Sequence, residues 1–100
     1  MQKNLLIMSE MPQYFVNLAD KDFNTHKLWL QNDEDKYISE VQEKVDAIAV
    51  MGGYKITPEL MKSMTNLKII ACYGVGYDAI DIGYAKSLGI KVTNTPEVLN

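Results

Sequence analysis

Five segments of strand length, separated by four stretches with helical spacing, restrict what this chain of 100 residues can fold into. The strand segments read as Asn4–Met8, Phe23–Leu30, Ala47–Val50, Lys68–Cys72 and Ile90–Thr93. Asn4–Met8 and Ala47–Val50 are apolar almost throughout, the pattern of strands buried on both faces, whereas the mixed polarity of Phe23–Leu30 suits a sheet edge. The helical stretches carry their own punctuation. Pro12 opens the first, with Met11, Tyr14, Phe15 and Leu18 on one apolar side and an end near Asp20 to Asp22. Asn32 or Asp33 caps the second, Glu34 and Asp35 favour its positive end, and Tyr37, Ile38, Val41 and Val45 form its core face. Thr57 followed by Pro58 starts the third, whose buried stripe is Leu60, Met61, Met64 and Leu67. Asp81 is placed to cap the fourth, which runs through Leu88, with Gly89 at the position just past its end.

A βαβαβαβαβ alternation with no repeat and no low-complexity tract implies the α/β class: a parallel sheet with right-handed crossovers and helices on both faces. Five such strands are expected in the flavodoxin-like order 2-1-3-4-5, a three-layer sandwich. Strands three and four are then neighbours. The Met51–Gly53 stretch and the Gly74–Gly76 turn would sit side by side at the carboxyl edge of the sheet, where open α/β folds bind ligands.

One hundred residues suit one domain, and an apolar fraction of 47% is ordinary for a globular one. A net charge of −3, scattered along the chain, speaks against a nucleic-acid footprint. No apolar run approaches the roughly 18 residues of a membrane span. The stretch Met1 to Met8 meets Glu10 too early for a signal peptide to be expected. Cys72 is the sole cysteine, so no internal disulfide can form and a cytoplasmic location is the simplest setting. Cys72 itself reads as a small buried strand residue rather than a nucleophile, and the six methionines read as packing.

Gly74-Val75-Gly76-Tyr77-Asp78-Ala79 formally matches the dinucleotide fingerprint G-x-G-x-x-G/A. That fingerprint requires a helix beginning at the glycines, so that its N-terminus faces the pyrophosphate. Here the cap, Asp81, lies five residues past Gly76, Asp78 would bring negative charge near the phosphates, and Asn94 follows the next strand where a ribose-binding acid would stand. The cofactor reading therefore fails. Two readings of the glycines stay open on spacing alone: a turn and nothing more, or a concavity of successive backbone N–H groups that takes an anion.

The stretch resembles the D-isomer-specific 2-hydroxyacid dehydrogenases, in particular members like the glyoxylate/hydroxypyruvate reductases. The resemblance lies in Gly74-Val75-Gly76-Tyr77-Asp78-Ala79-Ile80-Asp81, Ala85-Lys86 and Gly89-Ile90-Lys91-Val92-Thr93-Asn94-Thr95-Pro96, with Glu97 departing from the glycine usual after that proline. It implies that Val75 and Gly76 hold the carboxylate of a small 2-oxo or 2-hydroxy acid through backbone N–H groups, that Gly74 permits close approach, and that Met51 and Gly52 line the other wall. It also implies NAD or NADP as cofactor of the full-length enzyme, and leaves a homodimer open for that enzyme.

The family reduces its substrate with an arginine, a histidine and an acid that tunes the histidine. This chain contains no arginine, and its single histidine, His26, falls in the presumed edge strand and reads as an ordinary, partly exposed residue. No catalytic set assembles from these residues, no metal-ligand spacing occurs, and Met51-Gly52 stands where a phosphoreceiver would need its aspartate. Residues 1–100 are thus expected to form the N-terminal part of a substrate domain, with catalytic residues and the cofactor-binding domain absent and no cofactor bound by this chain alone. A stand-alone, non-catalytic flavodoxin-like binding or interaction module is the alternative.

Overall fold

Every strand pairing in the computed structural model, which describes residues 2–51, 56–73 and 80–95, is parallel. The elements are β1 (Lys3–Ile7), α1 (Gln13–Asp22), β2 (Phe23–Lys27), α2 (Glu34–Val41), β3 (Ala47–Met51), α3 (Pro58–Ser63), β4 (Ile69–Tyr73), α4 (Ile82–Ser87) and β5 (Lys91–Thr95). The strand order is β2-β1-β3-β4-β5, as the alternation implies. The step from β1 to β2 runs one way across the sheet and all later steps run the other. Right-handed crossovers therefore put α1 on one face and α2, α3 and α4 on the opposite face.

Two cores follow, one per face. Leu6, Met8, Ile48, Val50, Ile70 and Cys72 point from the sheet toward Val41, Met61 and Ala85 of the three helices. Leu5, Ile7, Ala47 and Ala49 point the other way, toward Val16 and Ala19 of α1. The capping residues act as their types require. Asp33 accepts the N–H of Lys36 at 3.1 Å, Thr57 that of Leu60 at 3.2 Å and Asp81 that of Tyr84 at 3.0 Å. Gly89 takes φ +77°, which closes α4 and turns the chain into β5.

Three sequence expectations need correction. Tyr14 and Leu18 are exposed, at 68% and 58%, and α1 buries Val16 and Ala19 instead, with Phe15 half-buried. The reason is that Met11 precedes the helix, which starts at Gln13. Met11 is buried from the loop and so does not set the helical phase. The second strand ends at Lys27, and Leu28–Leu30 forms a 3-10 turn that drives Leu28 fully into the core. Finally, His26 is buried, at 8% exposure.

His26 is held at both ring nitrogens. Nδ1 lies 2.9 Å from the Tyr37 hydroxyl and Nε2 lies 3.1 Å from Asn4 Oδ1, which also accepts from Asn24 Nδ2 at 2.8 Å. An amide oxygen only accepts, so the neutral ring carries its proton on Nε2 and accepts a hydrogen bond from the Tyr37 hydroxyl at Nδ1. Burial, and then the charge of Lys44, holds the His26 pKa below its ordinary 6.5.

Two outcomes are expected. In urea unfolding, Leu6→Ala or Ile48→Ala should cost about 2–5 kcal/mol, and Leu18→Ala no more than about 0.5 kcal/mol. Because the folded-state pKa of His26 lies below the unfolded value, its neutral form contributes stability that is fully present above pH 6.5. That contribution should fall away as the pH drops below 6.5 and level off once the folded-state pKa is passed. Unfolding free energies at stepped pH should show the loss in the wild type and a flatter profile in His26→Gln.

Candidate functional site at the carboxyl edge of the sheet

The strands deliver two chain segments to one place. β3 and β4 stay paired through their last residues, Met51 and Tyr73. Beyond them an isolated parallel bridge pairs Ile56 with Ile80, just before the caps of α3 and α4. The segments 52–55 and 74–79 therefore leave from paired residues and return to paired residues. Gly52, Gly74, Val75 and Gly76 fall in those segments and lie outside the described residues.

Met51, the other expected wall residue, is the last residue of β3 and is half-buried. Its side chain packs with the cluster on the α1 face, and its N–H donates to Ser9 Oγ at 3.1 Å. Tyr73 sits beside it, edge-on to Phe15 with ring centroids 5.0 Å apart, and burial followed by the neighbouring Tyr14 pushes its phenol pKa up. Sequence reasoning gave no site role to Ser9, Tyr73 or Ile56, and Ile80 entered only as part of the stretch that carries the family resemblance. A signal for the two isoleucines existed: each precedes a helix cap, where an apolar residue fixes the angle of entry into the helix. Ile56 and Met61, like Ile80 and Ala85, share one buried cluster.

The described residues hold little reactive chemistry. Cys72 is buried and its thiol pKa is pushed up by burial, which disfavours the nucleophilic thiolate. His26 belongs to edge strand β2, separated from β4 by two strands. At the carboxyl ends of β1 and β2, a crevice of about 350 Å³ is lined by Glu10, Trp29 and Lys27, and the Lys27 ammonium is taken by Asp20 at 3.2 Å. Among the described residues no three metal-ligating side chains converge. On the open part of the α1 face, a groove of about 370 Å³ runs over Ala47, Ala49, Ala71 and Tyr73. Its lining is apolar apart from Asp22 and the Tyr73 hydroxyl, so it offers a small anion no cationic side chain.

The fit to a dinucleotide can be tested on α4. The helix starts at Ile82, six residues past Gly76, and the Asp81 carboxylate already takes the N–H of Tyr84. A pyrophosphate approaching that end would meet a carboxylate rather than open N–H groups. The N-terminus of α4 does not fit the group.

A doubly wound parallel sheet in the order β2-β1-β3-β4-β5, with a glycine-bearing segment after β4, defines the class: an open α/β domain of flavodoxin-like topology. Residues 5–100 match the catalytic domain of the D-isomer specific 2-hydroxyacid dehydrogenases, and the chain belongs to that family. It is 34% identical to the glyoxylate reductase of Pyrococcus furiosus over 102 aligned positions, which cover 99% of this chain and 30% of that protein. It is 32% identical to glyoxylate/hydroxypyruvate reductase A of Arabidopsis thaliana, over 95% of this chain and 30% of the relative. Among solved structures, a 2-hydroxyacid dehydrogenase from Ketogulonicigenium vulgare superposes with a TM-score of 0.89 at 35% identity, over 99% of this chain and 31% of that one. The NADPH-dependent glyoxylate/hydroxypyruvate reductase of Sinorhizobium meliloti, in complex with NADP and malonate, gives 0.75 at 29% identity, covering 99% and 30% of the two chains. The chain thus spans about a third of the length of the relatives it matches.

Because the Asp81 carboxylate caps α4, Asp81→Ala should lower the unfolding free energy by about 1 kcal/mol in chemical denaturation. Asp81→Asn, which keeps an accepting oxygen, should lose clearly less.

Proposed function

We propose that residues 1–100 form the N-terminal part of the substrate domain of an NAD(P)-dependent D-2-hydroxyacid dehydrogenase that reduces a small 2-oxo acid, glyoxylate or hydroxypyruvate in first place. The observation that supports this reading is the double pairing of Met51 with Tyr73 and of Ile56 with Ile80, which brackets the two segments that the family resemblance implies as walls of the substrate site. In this reading the backbone N–H groups of Val75 and Gly76 hold the substrate carboxylate, with Gly74 allowing close approach. Met51 and Gly52 form the opposite wall. Successive main-chain N–H groups suit this task in a chain without arginine, because they bind an anion with no basic side chain.

In the whole enzyme a nicotinamide cofactor would supply the hydride that the carbonyl carbon of the 2-oxo acid receives, and an acid would supply the proton for its oxygen. In this reading the dinucleotide site, the proton donor and the cation that polarises the carbonyl would not come from residues 1–100, which contain no arginine and a single histidine. Relatives named as glyoxylate and hydroxypyruvate reductases support the substrate class. The cytoplasm is the proposed compartment, since the single cysteine is a buried thiol.

The test is an assay of NADH and NADPH oxidation with glyoxylate and hydroxypyruvate, run on the protein as its full reading frame encodes it and on residues 1–100 alone. Turnover by the former and none by the latter is expected. Turnover by residues 1–100, or a full frame that ends at Asn100 and gives no turnover, would overturn the proposal.

A further inference from the structure

The direction of the crossovers reverses between β1 and β3, so the carboxyl ends of these two strands form the switch point at which open α/β sheets make their ligand crevice. The β1–β3 register runs only from Leu5↔Ala47 to Ile7↔Ala49, whereas β3 and β4 stay paired to Met51↔Tyr73. On the β1 side, the N–H of Met8 still reaches the Ala49 carbonyl at 2.9 Å. The next donor on that edge of β3, the Met51 N–H, goes to the side chain of Ser9 at 3.1 Å. β1 and β3 thus part at the switch point, and one hydroxyl spans the opening.

Ser9 is half-buried between Met8, at 1% exposure, and exposed Glu10, so it marks the step from core to rim. An N–H at the last residue of a buried strand needs an acceptor, and without one its position is set only by β4. We infer that Ser9 is a positioning residue: its hydroxyl takes over from the β1–β3 ladder and fixes the backbone of Met51, the last residue of β3 and a wall residue of the proposed substrate site. The inference rests on the function proposed above. It assigns to the loop after β1 a part in substrate binding that involves no contact with substrate, since Ser9 acts through the Met51 backbone.

The test uses the protein as its full reading frame encodes it. Ser9→Ala should raise KM for glyoxylate roughly tenfold while kcat changes less than about twofold, the pattern of lost binding rather than lost chemistry. Ser9→Thr keeps the hydroxyl and should return KM to near the wild-type value. Amide hydrogen exchange provides a second measurement independent of activity: at least tenfold faster exchange of the Met51 N–H in Ser9→Ala, with Ala49 unchanged. A KM within twofold of wild type, a threonine variant as impaired as the alanine variant, or unchanged Met51 exchange would each overturn the inference. If the wild type turns over neither glyoxylate nor hydroxypyruvate, the proposed function falls, and Met51 exchange alone decides the positioning role of Ser9.

Discussion

Strand β3 lies between β1 and β4 with Ala47, Ile48, Ala49 and Val50 all buried, so its backbone groups find partners only across the sheet. Each donor or acceptor left unmatched there would cost about 1–3 kcal/mol, a substantial part of the stability of a domain this size. Pairing is therefore obligatory, and with both faces buried a slip of register would turn isoleucine toward space occupied by alanine. The consequence reaches the carboxyl edge. A register that matches Ile48 with Ile70 also matches Met51 with Tyr73, and the chain then leaves both strands at one level. Where β1 gives out as a partner, a serine hydroxyl serves the last N–H of β3.

The two faces of this sheet are unequal for a topological reason. Only the β1–β2 step runs against the others, so one helix covers the first face and three cover the second. Large side chains accumulate on the three-helix face, where Ile48, Val50 and Ile70 meet Val41, Met61 and Met64. The other face carries Ala47, Ala49 and Ala71, and beside α1 these small side chains leave an apolar groove. Polar groups in the fold are correspondingly matched. The one buried polar residue among those described, His26, has a partner at each ring nitrogen, so it ties edge strand β2 to both β1 and α2.

Elements with local causes were legible in the chain itself. Asp33, Thr57 and Asp81 cap because a short oxygen-bearing side chain before a helical run reaches an N–H two or three residues on, whatever surrounds it. Ala47–Val50 reads as a strand buried on both faces because it is short, wholly apolar and followed by glycines, the pattern of an inner strand of a parallel sheet. The first helix was harder. Met11, Tyr14, Phe15 and Leu18 share a helical spacing, but so do Phe15, Val16 and Ala19, and only contact with the sheet selects between the two stripes. His26 was misjudged for a related reason: its burial depends on Tyr37 and Asn4, which are distant in sequence.

At the candidate site the division is the same. Family membership, the glycines at 74 and 76, and the absence of arginine can all be read from residue order, because they depend on which residues are present and how they are spaced. The meeting of Met51 with Tyr73, of Ile56 with Ile80 and of Ser9 with the Met51 N–H depends on strands between 22 and 42 residues apart in the chain. Those contacts have no local signature. The sequence by itself determined the alternation of elements, their caps and the family. Tertiary structure decided which helix face is buried, which histidine nitrogen carries the proton and which hydroxyl ends β3, because each of these depends on partners that only the folded sheet brings together.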